Sequence, residues 1–135
     1  MAFGHLHIRN SVGLFGEKAA VDLLRSKGYK ILEQNWKIGH LEVDIIAENK
    51  TDIAFVEVKT RTSVFGRMPE EYVDRTKQHH IKCAANAYIK AKNCTKIPRF
   101  DVIGILANEN CDKILYINHI EDAFKPRLKT YGVRF

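Results

Sequence analysis

The sequence predicts one α/β domain, a central mixed β-sheet flanked by α-helices. Three observations carry that prediction. The chain has 135 residues, enough for one buried core and too few for two. Its apolar segments come in the order helix, strands, helix, strands. No internal repeat, linker or low-complexity segment interrupts them, so residues 1–135 read as a single domain.

The first helix spans about Val12 to Lys27, with Ser11 as a candidate N-cap and Gly28 as a candidate C-terminal stop. Its apolar stripe runs Leu14, Val21, Leu24. "YKILEQNW" follows as a short strand. "GHLEVDIIAENKTDIAFVEVKTR" reads as two strands joined by the polar turn Asn49-Lys50-Thr51-Asp52. After a glycine-containing loop, Pro69 marks a second helix start, with Glu70, Glu71 and Asp74 near the positive end of its dipole. That helix runs to about Ala91, with Val73, Ile81, Ala84, Ala85 and Tyr88 facing inward. "RFDVIGILA" and "KILYINHI" complete the sheet.

The central hairpin holds the chemistry. A four-residue loop at 49–52 sets Glu48 against Ile53, and so places Asp44 opposite Glu57 and Glu42 opposite Lys59. Directly opposed residues share a face, with Cβ atoms about 5 Å apart. The other face then collects Leu41, Val43, Ile45, Ala47, Ala54, Val56 and Val58. The charged face also carries Ile46, Ile53 and Phe55, which predicts that something covers it. Charges on a covered face are costly unless paired or metal-bound. A salt-bridge network meets that demand as well as an ion does, and spacing alone does not choose between them.

An ion would give the arrangement a purpose. Mg²⁺ or Mn²⁺ takes hard oxygen ligands, commonly one or two carboxylates with water. Asp44 and Glu57 could share it, with the Val58 carbonyl as a further ligand. Lys59 could orient a water or hold a phosphate as a point charge. Two polar residues lie on apolar helical stripes: Glu17 between Leu14 and Val21, and Lys77 midway between Val73 and Ile81. For Lys77 taken alone, a snorkelling lysine is the better explanation; for Glu17, whose shorter stem snorkels less, neither reading leads.

"GLFGEKAAVDLLRSKGYKILEQNW", "EVDIIA", "FVEVKTR" and "RFDVI", in this order from Gly13 to about Phe124, resemble the motifs of the YraN-like family of small bacterial proteins. By resemblance that family belongs to the PD-(D/E)xK, restriction-endonuclease-like superfamily, alongside archaeal Holliday-junction resolvases. The resemblance implies a restriction-endonuclease-like fold and a Mg²⁺- or Mn²⁺-dependent nuclease acting on DNA, including branched intermediates of recombination and repair. It implies Asp44 as the first acid, Glu57 as the second, Lys59 as the motif lysine, Glu17 as the helix carboxylate completing the metal site, and Lys77 as the lysine of the following helix. Glu42 matches the family's acid two before the aspartate. The family usually has glycine immediately before that acid, where this chain has Leu41. The alternative is a nucleic-acid-binding protein that keeps the fold and cleaves little or nothing.

Charge and composition agree with a nucleic-acid partner without requiring one. Twenty-two cations face 16 acids, for a net charge of +6. Residues 125–135 hold Lys125, Arg127, Lys129 and Arg134 and no acid, a basic C-terminal tail. No apolar run is long enough to span a membrane, and the N-terminus lacks a signal-peptide core. Three cysteines without CxxC spacing suit a reducing cytoplasm. A resolvase-like task would suit a symmetric homodimer. The pairs His5/His7 and His79/His80 lack the cysteine spacing of a zinc site. Asp101 reads first as a structural hydrogen-bonding acid and second as a further site acid. Trp36 reads as a packed aromatic.

Overall fold

The computed structural model describes residues 2–62 and 68–124. Helix α1 (Ala2–Ser26) leads into β1 (Lys30–Ile38), β2 (Leu41–Glu48) and β3 (Asp52–Arg61). A 3-10 turn (Pro69–Tyr72), α2 (Arg75–Lys92), β4 (Ile97–Ala107) and β5 (Ile114–Ile120) follow. The strands lie in the order β1-β2-β3-β4-β5. Only β3 and β4 run parallel among these neighbours, and α2 is the crossover joining them. The sheet is therefore mixed, as the element order predicts.

Helix α1 begins ten residues before the predicted start, so Ser11 lies inside it rather than at its N-cap. Its stop is the predicted one. Gly28 takes φ +91, its N–H donates to the Arg25 carbonyl, and the Tyr29 N–H reaches back to the Leu24 carbonyl, both at 3.0 Å. The buried stripe is Ala20, Val21 and Leu24, whereas Leu14 is 66 % exposed and leaves the predicted stripe. The second helix also differs. Pro69 opens a separate 3-10 turn, and α2 starts only after Asp74, whose side chain accepts the Lys77 N–H at 2.8 Å. Glu70 does not serve the dipole of α2. It accepts from Tyr116 Oη at 2.5 Å and Asn118 Nδ2 at 3.0 Å, pinning the turn to β5. Asn93, at φ 50, closes α2.

Two apolar cores sandwich the sheet. On one face Ala20, Val21, Leu24 and Tyr29 cover Ile45, Ala47, Ala54, Val56, Ile103 and Ile105. On the other, Ile81, Ala84, Ala85 and Tyr88 of α2 cover Val43, Ile46, Ile53, Phe55, Phe100 and Val102, and Trp36 packs edge-on against Tyr88. Each large side chain buried here contributes about 1.5–3 kcal/mol of transfer free energy. Helix α2 thus provides the cover that Ile46, Ile53 and Phe55 demand.

The β2–β3 register agrees with the turn at 49–52. Glu48 pairs with Ile53, Ala47 with Ala54, Ile46 with Phe55 and Ile45 with Val56. The turn is fixed by Asn49 Oδ1, which accepts from the N–H groups of Thr51 (3.0 Å) and Asp52 (2.7 Å). The ladder stops at Ile45, so Asp44 and Glu57 are not ladder partners, and Glu42 pairs with Lys37 of β1 rather than with Lys59. The predicted faces also divide. Leu41 and Val43 pack on the α2 side, while Ile45 and Ala47 pack on the α1 side. Alternation reverses across Asp44, next to β1 residue Asn35 with its positive φ of 51. The sheet opens at the acids.

Candidate functional site

Strand parity sends Val56 and Val58 toward α1 and Phe55 toward α2, so Glu57 and Lys59 share the α2 side. Glu57 is only 4 % exposed, unusual for a carboxylate in the middle of a sheet. Lys59 Nζ and Lys77 Nζ each lie 3.8 Å from Glu57 Oε2, one from the same strand and one from α2. Glu57 Oε1 is buried and meets no hydrogen-bond partner among the described residues. Asp44 enters from the open edge of β2, and its Oδ2 accepts the Val58 main-chain N–H at 2.8 Å.

Glu17 arrives from α1. Its Oε1 accepts from Asn35 Nδ2 at 2.9 Å, so Asn35, held in a left-handed conformation at φ 51, orients the helix carboxylate. The helix can come this close because Gly16 has no side chain: a Cβ there would sit 1.8 Å from Thr60 Oγ1 and 2.9 Å from Thr60 Cβ. The result is a cavity of about 460 Å³ lined by Val12, Gly13, Glu17, Asp44, Glu57 and residues 58–61. Four of the five predicted site side chains, Glu17, Asp44, Glu57 and Lys59, line it together with Val58. Lys77, the fifth, stands behind Glu57.

The electrostatics are those of crowded acids. Burial first, then the charge of Asp44, pushes Glu57 up to about 8, against the opposing pull of Lys77 and Lys59. Asp44 is also raised, chiefly by burial and further by Glu17 and Glu42, although the Val58 N–H and Lys77 pull it down. The upward shift favours the protonated acid at Glu57, while Lys59 and Lys77 at 3.8 Å pull it toward the carboxylate.

The donor set suits a hard divalent cation in part. Clustered carboxylates with raised pKa values and an unpartnered buried oxygen are what an ion would neutralise and coordinate. Yet among the described residues no three His, Cys, Asp or Glu side chains stand grouped as a ready-made cage. Asp44 Oδ2 and Glu17 Oε1 are already engaged, which leaves their other oxygens and Glu57 Oε1. The Val58 N–H is spent on Asp44, and Val58 lines the cavity.

The remaining polar candidates lie elsewhere. Asp101 is fully buried and accepts from Arg99 Nε (2.9 Å) and Nη2 (2.8 Å), His119 Nε2 (2.8 Å) and the Asp122 N–H (3.0 Å). These bonds outweigh the burial that would raise it and hold its carboxyl below the usual range. It is structural, the first of its two readings. Nothing in the residue order marks its partner His119, 18 residues downstream, or Asn35, whose role depends on a positive φ. His79 and His80 touch each other, His40 approaches His80 at 5.9 Å, and Cys83 Sγ lies 3.5 Å from His79 Nε2. The side chains of His5 and His7, and the segment 125–135, lie outside the described residues.

Fold and site define an α/β domain, a five-stranded mixed sheet flanked by helices, with an acid–lysine cluster where two strands part. The chain belongs to the UPF0102 family: the model described as "Uncharacterised protein family UPF0102" matches residues 16–105. It is 46 % identical over 117 residues to the UPF0102 protein TTE1452 of Caldanaerobacter subterraneus subsp. tengcongensis, covering 86 % of this chain and 96 % of that one. It is 40 % identical over 119 residues to a UPF0102 protein of Bacteroides thetaiotaomicron, covering 88 % and 96 %. A UPF0102 protein of Caldicellulosiruptor saccharolyticus is 42 % identical over 119 residues, with 86 % and 98 % covered. The matched segment includes Glu17, Asp44, Glu57, Lys59 and Lys77. Among the described residues no helix is long and apolar enough to cross a membrane.

Proposed function

We propose that this protein is a restriction-endonuclease-like phosphodiesterase of the PD-(D/E)xK kind, dependent on Mg²⁺ or Mn²⁺ and acting on DNA. The observation that carries this reading is Glu57: a carboxyl 4 % exposed, beside Asp44, flanked by two lysines, with one oxygen unpartnered. Asp44 and Glu57 would hold the ion, with Glu17 and the Val58 carbonyl completing its shell. When bound, the ion supplies a low-pKa water and neutralises charge on the phosphate. Lys59 holds a positive charge at the cavity wall, where it can orient the attacking water and stabilise the phosphate in the transition state. Lys77 sets the charge balance at Glu57 from behind and positions phosphate. Glu17, held by Asn35, fixes the third side of the cavity.

A second reading has one observation in its favour, the lack of a preassembled three-acid cage among the described residues. Under it the protein binds nucleic acid through the same fold and cleaves little. The experiment that tests the first reading is cleavage of a panel of labelled linear and branched DNAs with Mg²⁺ or Mn²⁺. Asp44→Asn is the control. Metal-dependent products that disappear in the variant support the nuclease. Absence of products from every substrate overturns it in favour of the binding protein.

A further inference from the structure

The positive charge of this protein has a definite address. Residues 75–100 hold seven Lys or Arg and no Asp or Glu, while the rest of the chain has 15 cations against 16 acids. The whole net charge therefore comes from α2 and the segment after it. Several of these cations have internal work: Lys77 faces Glu57, Lys96 pairs with Glu48 at 3.1 Å, and Arg99 holds Asp52 and Asp101. Lys92 lies over the Tyr88 ring.

Arg75, Lys82 and Lys90 do not. Ile81, Ala84, Ala85 and Tyr88 fix the inward direction of α2, and at 100° per residue Arg75, His79, Lys82, Asn86 and Lys90 project to the opposite side. Arg75, His79, Asn86 and Lys90 are exposed, and Lys82 is half-buried. None of the three cations has an ion-pair partner within 4.0 Å among the described residues, and α2 contains no acid to supply one. The three cations stand seven and eight residues apart on one side of a helix that carries no acid, so the surface they make has a single sign. Arg75 stands moreover in the first turn, where the helix dipole disfavours a cation by about 0.3–1 kcal/mol.

We propose that this outward ridge of α2 is a phosphate track that takes the backbone of duplex DNA. Lys77, two residues after Arg75, is turned about 200° around the helix toward Glu57, so the ridge is a surface separate from the cavity on the same helix. At 1.5 Å per residue, Arg75 to Lys82 spans about 10 Å and Lys82 to Lys90 about 12 Å. Those separations let each cation meet a different phosphate. His79 and Asn86, between them, add hydrogen-bonding groups for backbone oxygens. The contacts carry no base reading, so the track serves affinity and orientation.

The inference rests on the nucleic-acid reading of the cavity, but its test is separable because binding is measured without cleavage. A fluorescein-labelled duplex oligonucleotide is titrated with the full chain in EDTA across a salt series. The triple variant Arg75→Gln, Lys82→Gln, Lys90→Gln is compared with Lys30→Gln, Lys50→Gln, Lys113→Gln, which removes the same charge from exposed positions off the ridge. Both are checked for an unchanged melting profile, and single Gln variants at the three ridge positions replace the triple if it does not fold. The track predicts that the ridge variant binds more weakly, with a log–log salt slope shallower by roughly 2 to 3, and about 1 for each single change. The charge-matched control retains most of the slope. Equal losses in the two variants would reduce the ridge to bulk charge and overturn the track, as would a wild type that does not bind duplex. Metal-dependent cleavage by a protein whose ridge variant binds normally would overturn the track and leave the nuclease intact. Lost binding in a protein that never cleaves would do the reverse.

Discussion

The Asp44 carboxylate accepts the main-chain N–H of Val58 at 2.8 Å, at the point where β2 and β3 cease to pair. A side chain has taken over from the ladder. The N–H of Val58 stays satisfied while the strands part, and the parting makes the cavity. The same bond fixes one Asp44 oxygen, so the other is the one available to an ion. Asp44→Ala should therefore open the sheet as well as empty the site, whereas Asp44→Asn can keep an acceptor toward Val58. The asparagine is the better probe of chemistry.

Glu57 gives a stability signature. Its carboxyl titrates near 4.5 unfolded and at about 8 folded, so the folded state holds a proton that the unfolded state has released between those values. Stability from this group is greatest below about 4.5 and declines as pH rises toward 8. Glu57→Gln removes the penalty. The expected outcome is a variant whose melting temperature exceeds wild type at pH 8 and matches it far more closely at pH 4, measured without divalent ions. An advantage independent of pH would refute the assignment.

Gly16 sets the approach of α1. A methyl group there would meet Thr60 Oγ1 at 1.8 Å, and rotating the threonine leaves its Cβ at 2.9 Å. Gly16→Ala should cost about 1–3 kcal/mol by overpacking. It should also lower metal-dependent activity by moving Glu17. Thr60→Gly in the same chain should recover part of the activity, and failure to recover any would place the defect elsewhere.

Asp101 carries fold rather than chemistry. Its carboxyl is held low by His119, Arg99 and the Asp122 N–H despite complete burial. The stability it contributes is present above the unfolded value of 3.8 and is lost as pH falls through its lower folded pKa. Asp101→Ala should destabilise by about 1–3 kcal/mol, because it leaves the fully buried His119 side chain and a half-buried Arg99 short of hydrogen bonds. Urea unfolding at neutral pH measures this.

The fold was legible where local rules suffice. Gly28 announced the end of α1, the Asn49–Asp52 turn fixed the register, and the alternation through Phe55 required a covering helix. What stayed illegible depends on departures from regular geometry. The break in alternation at Asp44 and the positive φ of Asn35 come from tertiary packing, so ideal pleat arithmetic puts Asp44 directly across from Glu57 and Leu41 with Ile45. The split at Asp74 is not legible because Pro69 and the Asp74 cap are both start signals within one acidic stretch. Leu14 obeyed the helical period yet lies in the part of α1 that runs past the sheet's apolar cover. In the site, the residue identities were legible in the motif, while the buried state of Glu57 and the tie from Asn35 to Glu17 required coordinates.

If Lys59 acts on the reaction while Asp44 and Glu57 hold the ion, single-turnover cleavage paired with Mn²⁺ calorimetry separates the two roles. Lys59→Ala leaves both acids in place, so Mn²⁺ affinity should persist or rise as a nearby cation disappears. Cleavage of the best DNA substrate should fall by roughly a hundredfold or more, the loss expected when one positioned transition-state donor is removed. Glu57→Ala should lose both properties, and Lys77→Ala should show a milder fall in cleavage alone. A Lys59→Ala protein that cleaves as fast as wild type would make the lysine structural and remove it from the reaction.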